Sequence, residues 1–347
     1  MAASSVWTSL LATIPAPSPA DDVVIGLPVD TGVHGRDLIV AARLMHEKHG
    51  HAGTRIAFEW RDDRRSSDGG AFAARALIER GIHFAVGHFH SGSALAAAPL
   101  YDTAGVLLFA PGSSHPDVTA NRAGKCFRTC GRDDAQAELF AATLLAEDER
   151  PILLIEDIAY GRSLGDQIAR RLRAAGREPL LVIATRPDDV TAIFPGPVAI
   201  AARHGFAAAL LPKLVGRSVR LLSDDCYAVE LIDSAGADCV GAYVAVLDIP
   251  SGPETDDLVR TYRAWMGREP NAYFLTSIAA LDILLTAIRE VGVEPGTVAR
   301  KIRSRVWTTS LGSIRFDEAG DTKRLGWRWA RIASGAVPGF LDPSEEG

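Results

Sequence analysis

From Val23 onward the apolar positions follow two alternating rhythms. Val23–Leu27 is a compact apolar run, the pattern of a strand buried on both faces. A Gly-rich turn follows (Asp30-Thr31-Gly32, Gly35), and then Leu38, Ala41, Ala42 and Met45 recur at i, i+3, i+4 and i+7. That spacing predicts an amphipathic helix, which Gly50 would stop. Ile56, Phe58 and Trp60 alternate as a strand with one face better buried, and a helix is predicted around Gly70–Arg80. His83–Val86 reads as the next strand, and the loop Gly87-His88-Phe89-His90-Ser91-Gly92-Ser93 opens a helix running towards Ala104. Val106–Ala110 is another strand, ending in Pro111-Gly112-Ser113-Ser114-His115-Pro116. Each repeat spans about 25–30 residues, as parallel crossover units require.

The rhythm then restarts. Cys126–Thr129 and Ile152–Ile155 read as strands around a helix over Asp133–Ala146. A further helix stacks Leu164, Ile168 and Leu172 and ends at Gly176. Strands are predicted near Leu180–Ile183, Val198–Ala201 and Val219–Leu222, with a helix near Phe206–Leu214. Long helices over Thr255–Trp265 and Tyr273–Val291 lead to an expected terminal hairpin, Ile314–Asp317 with Trp327–Ile332. Two α/β halves of this kind place ligand sites at the carboxyl ends of their strands.

Composition narrows the function. The chain has 347 residues, 47% apolar and 23% charged, a length that suggests about two domains. A formal net charge of -6 argues against nucleic acid as a partner, because phosphate neutralisation needs a basic face. No apolar run reaches the ~18 residues of a membrane span. Residues 1–21 read either as a disordered tail or as a degenerate signal peptide: the small residues Ser18 and Ala20 suit cleavage, but no Lys or Arg precedes the apolar stretch. Four cysteines in such a chain are not a disulfide framework, and a Cys226–Cys239 bridge stays open.

The familiar catalytic signatures are missing. There is no phosphate-cradling glycine loop and no G-x-S-x-G, so no catalytic residue and no cofactor is expected. His46-Glu47-Lys48-His49 misses the zinc spacing by one residue; with His51 these histidines are expected to decorate an exposed helix end rather than bind metal. What remains is three loops of small and hydroxyl residues at strand ends: His90–Ser93, Pro111–Ser114 and Ser223-Asp224-Asp225-Cys226. They either make tight βα turns or supply donors to an anionic group, with an acid at hand for a cation.

Several stretches resemble the branched-chain amino-acid (Leu/Ile/Val) binding proteins of ABC importers. They are Gly87–Ser93, Pro99-Leu100-Tyr101, Ala104-Gly105-Val106, Pro111–Pro116, Phe127-Arg128-Thr129 with Gly131–Asp134, Tyr160-Gly161, and Phe316-Asp317-x-x-Gly320-Asp321. The similarity runs from Val23 to about Ile332, strongest over Gly87–Asp134. It implies an α/β type I periplasmic-binding fold, two doubly wound parallel-sheet lobes (22–130 with 248–323, and 131–247 with 324–347) joined by a three-segment hinge.

The same resemblance implies capture of a small amino acid or related zwitterion without chemistry, an ABC permease as partner and a periplasmic location. Ser91 and Ser114 would hold the α-carboxylate, and the Gly112 carbonyl and Asp225 carboxylate would receive the ammonium. Tyr160 would close over the ligand, with Phe89 and Tyr273 shaping the side-chain pocket. Arg203 departs from the pattern and either meets a second carboxylate or points to solvent. The first-lobe disulfide is also absent, His90 standing before Ser91 and no cysteine lying in Trp60–Asp63. A cytoplasmic ligand-sensing regulator with the same fold is the alternative, in which Met1–Ala20 is not an export signal.

Overall fold

The computed structural model describes residues 2–50, 53–120, 124–191, 195–217, 219–323, 325–334 and 339–341. The chain forms two compact units, Met1–Cys130 with Ile249–Leu325 and Gly131–Asp248 with Gly326–Gly347.

The first unit begins with α1 (Ala2–Leu11), β1 (Val23–Pro28), α2 (Val33–His49), β2 (Ile56–Arg61), α3 (Ser67–Glu79), β3 (Phe84–Val86), α4 (Ser91–Ala104), β4 (Leu107–Ala110) and β5 (Cys126–Arg128). The strands form one sheet in the order β2-β1-β3-β4-β5, every pair parallel. Ile25, Leu27, Phe84, Val86, Phe109 and Phe127 are all buried, as expected for strands covered by helices on both faces.

The second unit contributes α5 (Asp133–Leu145), β6 (Ile152–Glu156), α6 (Ala159–Ala174), β7 (Leu180–Ala184), β8 (Val198–Ala201), α7 (His204–Leu210), β9 (Arg220–Leu222), α8 (Val229–Ala235) and β10 (Tyr243–Leu247). The chain returns to the first unit for α9 (Pro253–Met266), α10 (Phe274–Val291), α11 (Pro295–Arg303), β11 (Trp307–Thr309), β12 (Gly312–Phe316) and β13 (Thr322–Lys323). It ends in the second with β14 (Trp327–Ala333) and β15 (Gly339–Leu341). That unit's sheet runs β15-β14-β10-β9-β8-β6-β7, parallel from β10 to β7, with β14 antiparallel to β10. Helix α10 is buried almost throughout and packs on α2 inside the first unit's core. Among the described residues no helix is long and apolar enough to cross a membrane.

Four expectations change. The terminal hairpin does not form. The turn at Asp317–Asp321 sends β12 back to the two-residue β13, while β14 pairs with β10 of the other unit. Apolar alternation marked both strands correctly but carries no information on which edge each one finds.

The amino-terminal segment is not a disordered tail where it is described. Trp7 of α1 is only 7% exposed and meets Trp60 edge-on at 5.4 Å. The Pro15 carbonyl accepts from the Phe58 N–H, on the edge strand of the sheet. Gly35 gives the indole its room: a Cβ there would overlap the Asp30 carbonyl and lie 2.9 Å from the Trp7 ring.

His49 does not decorate an exposed end. It is buried, its Nε2 2.7 Å from Asp282 Oδ1, so it ties α2 to α10; His51 lies outside the described residues. Cys126, Cys130, Cys226 and Cys239 are all buried free thiols. The helix expected over Phe206–Leu214 starts two residues earlier and turns 3₁₀ at Leu211–Leu214, where Pro212 offers no N–H.

Candidate functional site

In each unit the strand order reverses beside the first strand, between β1 and β3 and between β6 and β8. The crossovers on either side of such a point leave by opposite faces, so a crevice opens at the carboxyl ends of those two strands. The expected site residues fall in two groups, one on each unit: Phe89 and Ser91 follow β3, Gly112 and Ser114 follow β4 and Tyr273 heads α10, while Tyr160 lies at the start of α6, Arg203 follows β8 and Asp225 follows β9.

In the first unit, α4 starts at Ser91 with His90 as N-cap, and the His90 side chain does not cap it; among the described residues no other side chain does. Ser91 and Ser114 are both buried, and among the described residues neither hydroxyl has a hydrogen-bond partner. Phe89 lies directly on Gly112, where a Cβ would overlap its ring, so the loop after β4 needs glycine at that point. Tyr273, at the N-cap of α10, joins the same cluster: its ring is 5.8 Å from Phe89 and 5.0 Å from His34, which stacks on Phe89 at 5.5 Å.

Arg128 supports this arrangement from beneath. Its guanidinium is fully buried and donates to Asp321 Oδ1 (2.8 Å), to the carbonyls of Ser113 (3.0 Å), His115 (2.8 Å) and Pro116 (3.2 Å), and to Thr119 Oγ1 (2.9 Å). One buried cation therefore holds the whole loop that carries Ser114. His115 follows Ser114 on this loop. Its Nδ1 accepts the Asp117 N–H at 3.2 Å, and burial pulls its pKa down, helped by Arg128 and opposed by Asp117.

Two residues the sequence reading passed over complete this end. Asp30, just beyond β1, is 4% exposed and contacts Arg65 Nε at 2.7 Å and His90 Nε2 at 3.2 Å. Burial opposes its charge, but the bond to His90 and the charges of His90, Arg65 and His34 prevail and hold its carboxyl far below the usual range. The loops that lack the disulfide cysteines are thus joined by polar contacts.

The second unit's end is acidic. Glu156 closes β6, is 3% exposed, and accepts the Arg203 backbone N–H at 2.9 Å and its Nε at 3.0 Å, with Nη2 also bonded. Arg203, a third exposed, therefore already has a carboxylate partner within its own unit. Asp225, 7% exposed, accepts the His204 N–H at 2.8 Å, with His204 Nδ1 at 2.9 Å from the same oxygen. The Tyr160 hydroxyl donates to the buried Asp224. Burial, then the charges of Asp224 and Asp133, push that phenol well above its ordinary pKa, so it stays protonated at neutral pH.

Ser91, Gly112, Ser114, Phe89 and Tyr273 are therefore gathered in one unit, and Tyr160, Arg203 and Asp225 in the other. Reasoning from sequence missed Asp30, Arg65, His34, Glu156 and His204, and named Asp224 only as part of its loop. A usable signal existed: Asp30 and Glu156 are the acids that end the first apolar strand of each half.

Comparison with known proteins decides the family. The periplasmic binding protein family matches residues 31–218, more than half of the chain. The chain belongs to that family. This periplasmic binding protein is 26% identical over 352 residues to the Leu/Ile/Val-binding protein homolog 1 of Brucella abortus (strain 2308), covering 95% of this chain and 93% of the relative. It is 29% identical over 333 residues to an amino acid binding protein of Pseudomonas aeruginosa, covering 87% and 88%. Among solved structures, the leucine-binding protein LivK of Thermotoga maritima superposes with a TM-score of 0.82 at 21% identity, covering 93% of this chain and 99% of that one. At that identity the likeness speaks for the fold, the two-lobe type I architecture. Family membership makes the chain a solute-binding protein rather than an enzyme.

Proposed function

We propose that this periplasmic binding protein captures a small α-amino acid or a related zwitterion and presents it to an ABC permease in the periplasm. The observation that carries the reading is the contrast in chemistry between the two strand ends. The first unit offers the buried Ser91 and Ser114 hydroxyls, uncommitted among the described residues, beside an uncapped helix N-terminus. The second offers Glu156, Asp224 and Asp225 against Arg203. Hydroxyl and N–H donors suit a carboxylate, and a carboxylate suits an ammonium. A doubly charged ligand satisfied at one end only would leave a buried charge unpaired, at a penalty of several kcal/mol.

On this reading Ser91 and Ser114 take the α-carboxylate, and Asp225 and the Gly112 carbonyl take the ammonium. Phe89 and Tyr273 bound the side-chain region, and Tyr160 contributes its ring, its hydroxyl being held by Asp224. The names of the Brucella and Pseudomonas relatives support amino acids as the ligand class. The regulator alternative finds no support in those relatives.

Isothermal titration of the purified protein with the proteinogenic L-amino acids and γ-aminobutyrate tests the proposal. Saturable heat with at least one is expected, and no heat with any of them contradicts it.

A further inference from the structure

We propose that Arg65, acting with Asp30 and His90, is a positioning residue: it staples three loops of the first unit together and so holds the N-terminus of α4, with Ser91, in register for a ligand's carboxylate. The inference rests on the function proposed above.

The three side chains come from three separate loops, after β1, β2 and β3. They meet in one spot, with Arg65 Nε 2.7 Å from Asp30 Oδ2, His90 Nε2 3.2 Å from the same oxygen, and the two nitrogens 3.2 Å apart. His90 is the residue immediately before Ser91, so whatever fixes it fixes the start of α4. Asp30 is itself tied down, its Oδ1 accepting the Gly32 N–H at 2.9 Å.

A second contact repeats the link between two of these loops. His88 is fully buried, with Nδ1 3.1 Å from Asp63 Oδ2 and Nε2 3.3 Å from the Tyr101 hydroxyl. The β2–α3 loop is bent to make these contacts. Arg64 and Arg65 both take left-handed backbone, φ 51° and 53°, a region unfavourable for residues with a Cβ. Such strain persists where the surroundings over-determine it. Here the Asp62 and Asp63 carboxylates accept the Arg64 and Arg65 N–H groups at 2.8 and 3.2 Å, and the strained turn delivers the Arg65 guanidinium to Asp30. Asp30 is buried, and its charge is supported by His90 first and by the delivered Arg65 as well.

The test uses the full chain and the Arg65→Ala and Arg65→Lys variants, read two ways. Amide hydrogen exchange without ligand is expected to rise in Arg65→Ala over residues 87–94 and not elsewhere in the sheet, with Arg65→Lys intermediate. Unchanged exchange, or a rise spread across the whole unit, overturns the proposal. The second readout is calorimetry with the L-amino acid that gives heat with the unmodified protein, and with its carboxamide. Arg65→Ala should weaken the amino acid about tenfold and the carboxamide by clearly less. Equal losses, or none, contradict a role through Ser91. If no amino acid gives heat with the unmodified protein, the proposed function falls, and hydrogen exchange alone still decides the staple.

Discussion

The two strand-end regions share one plan and differ in sign. Each sits where a parallel sheet reverses its order, and in each an acid at the end of the first strand is met by an arginine from a neighbouring loop: Asp30 by Arg65, Glu156 by Arg203. Beyond that pair they diverge. The first unit continues with His90-Ser91 and the Ser114 loop, held by a buried arginine; the second continues with Asp224-Asp225, held by Tyr160 and His204. The shared fold decides where polar groups collect. A handful of loop residues decides which charge the collection welcomes.

Four changes would break or sharpen this contrast, from the largest expected effect to the smallest. Asp321→Ala leaves the Arg128 guanidinium buried without its countercharge; loss of about 3–5 kcal/mol is expected by urea denaturation. Trp7→Ala removes the indole that seats α1 on the first unit, and about 3 kcal/mol is expected, near the low end for a buried Trp because α1 can lift away. An unchanged midpoint would show that α1 adds nothing to that core. Asp225→Ala should lower affinity for an amino acid about tenfold or more, about 1.4 kcal/mol, by calorimetry; unchanged affinity would remove Asp225 from the ammonium end.

The smallest effect is on pH dependence. Burial works against ionisation of Asp30 and Asp63, but their histidine contacts outweigh it and depress both carboxyls. A depressed acid contributes stability above its unfolded pKa, about 3.9, and loses it as pH falls towards the folded value. Thermal midpoints should therefore drop below about pH 4, and the drop should be shallower in Asp30→Asn. An equal slope in both proteins would show that Asp30 is not part of the acid response.

Most of the fold was legible because parallel sheets buried on both faces write themselves as apolar runs at regular intervals. β1, β6 and β8 were placed within a residue or so of their observed ends. The closing strands were found but mispaired, since pairing is decided by sheet edges far away in sequence. At the site, hydroxyls and glycines on loops could be read as donors. Their supports could not: Arg128 meets Asp321 across 193 positions, and Arg203 reaches Glu156 across 47. An ion pair of that span leaves no local pattern, and Arg203 standing alone looked free to face a ligand.

The most direct measurement compares one amino acid in three forms on the unmodified protein: the zwitterion, its carboxamide and its deaminated acid. Calorimetry should show clear binding of the zwitterion and at least tenfold weaker binding of each form that lacks one charge. Equal affinity for all three would mean that neither strand end reads the charge assigned to it, and the account would be wrong.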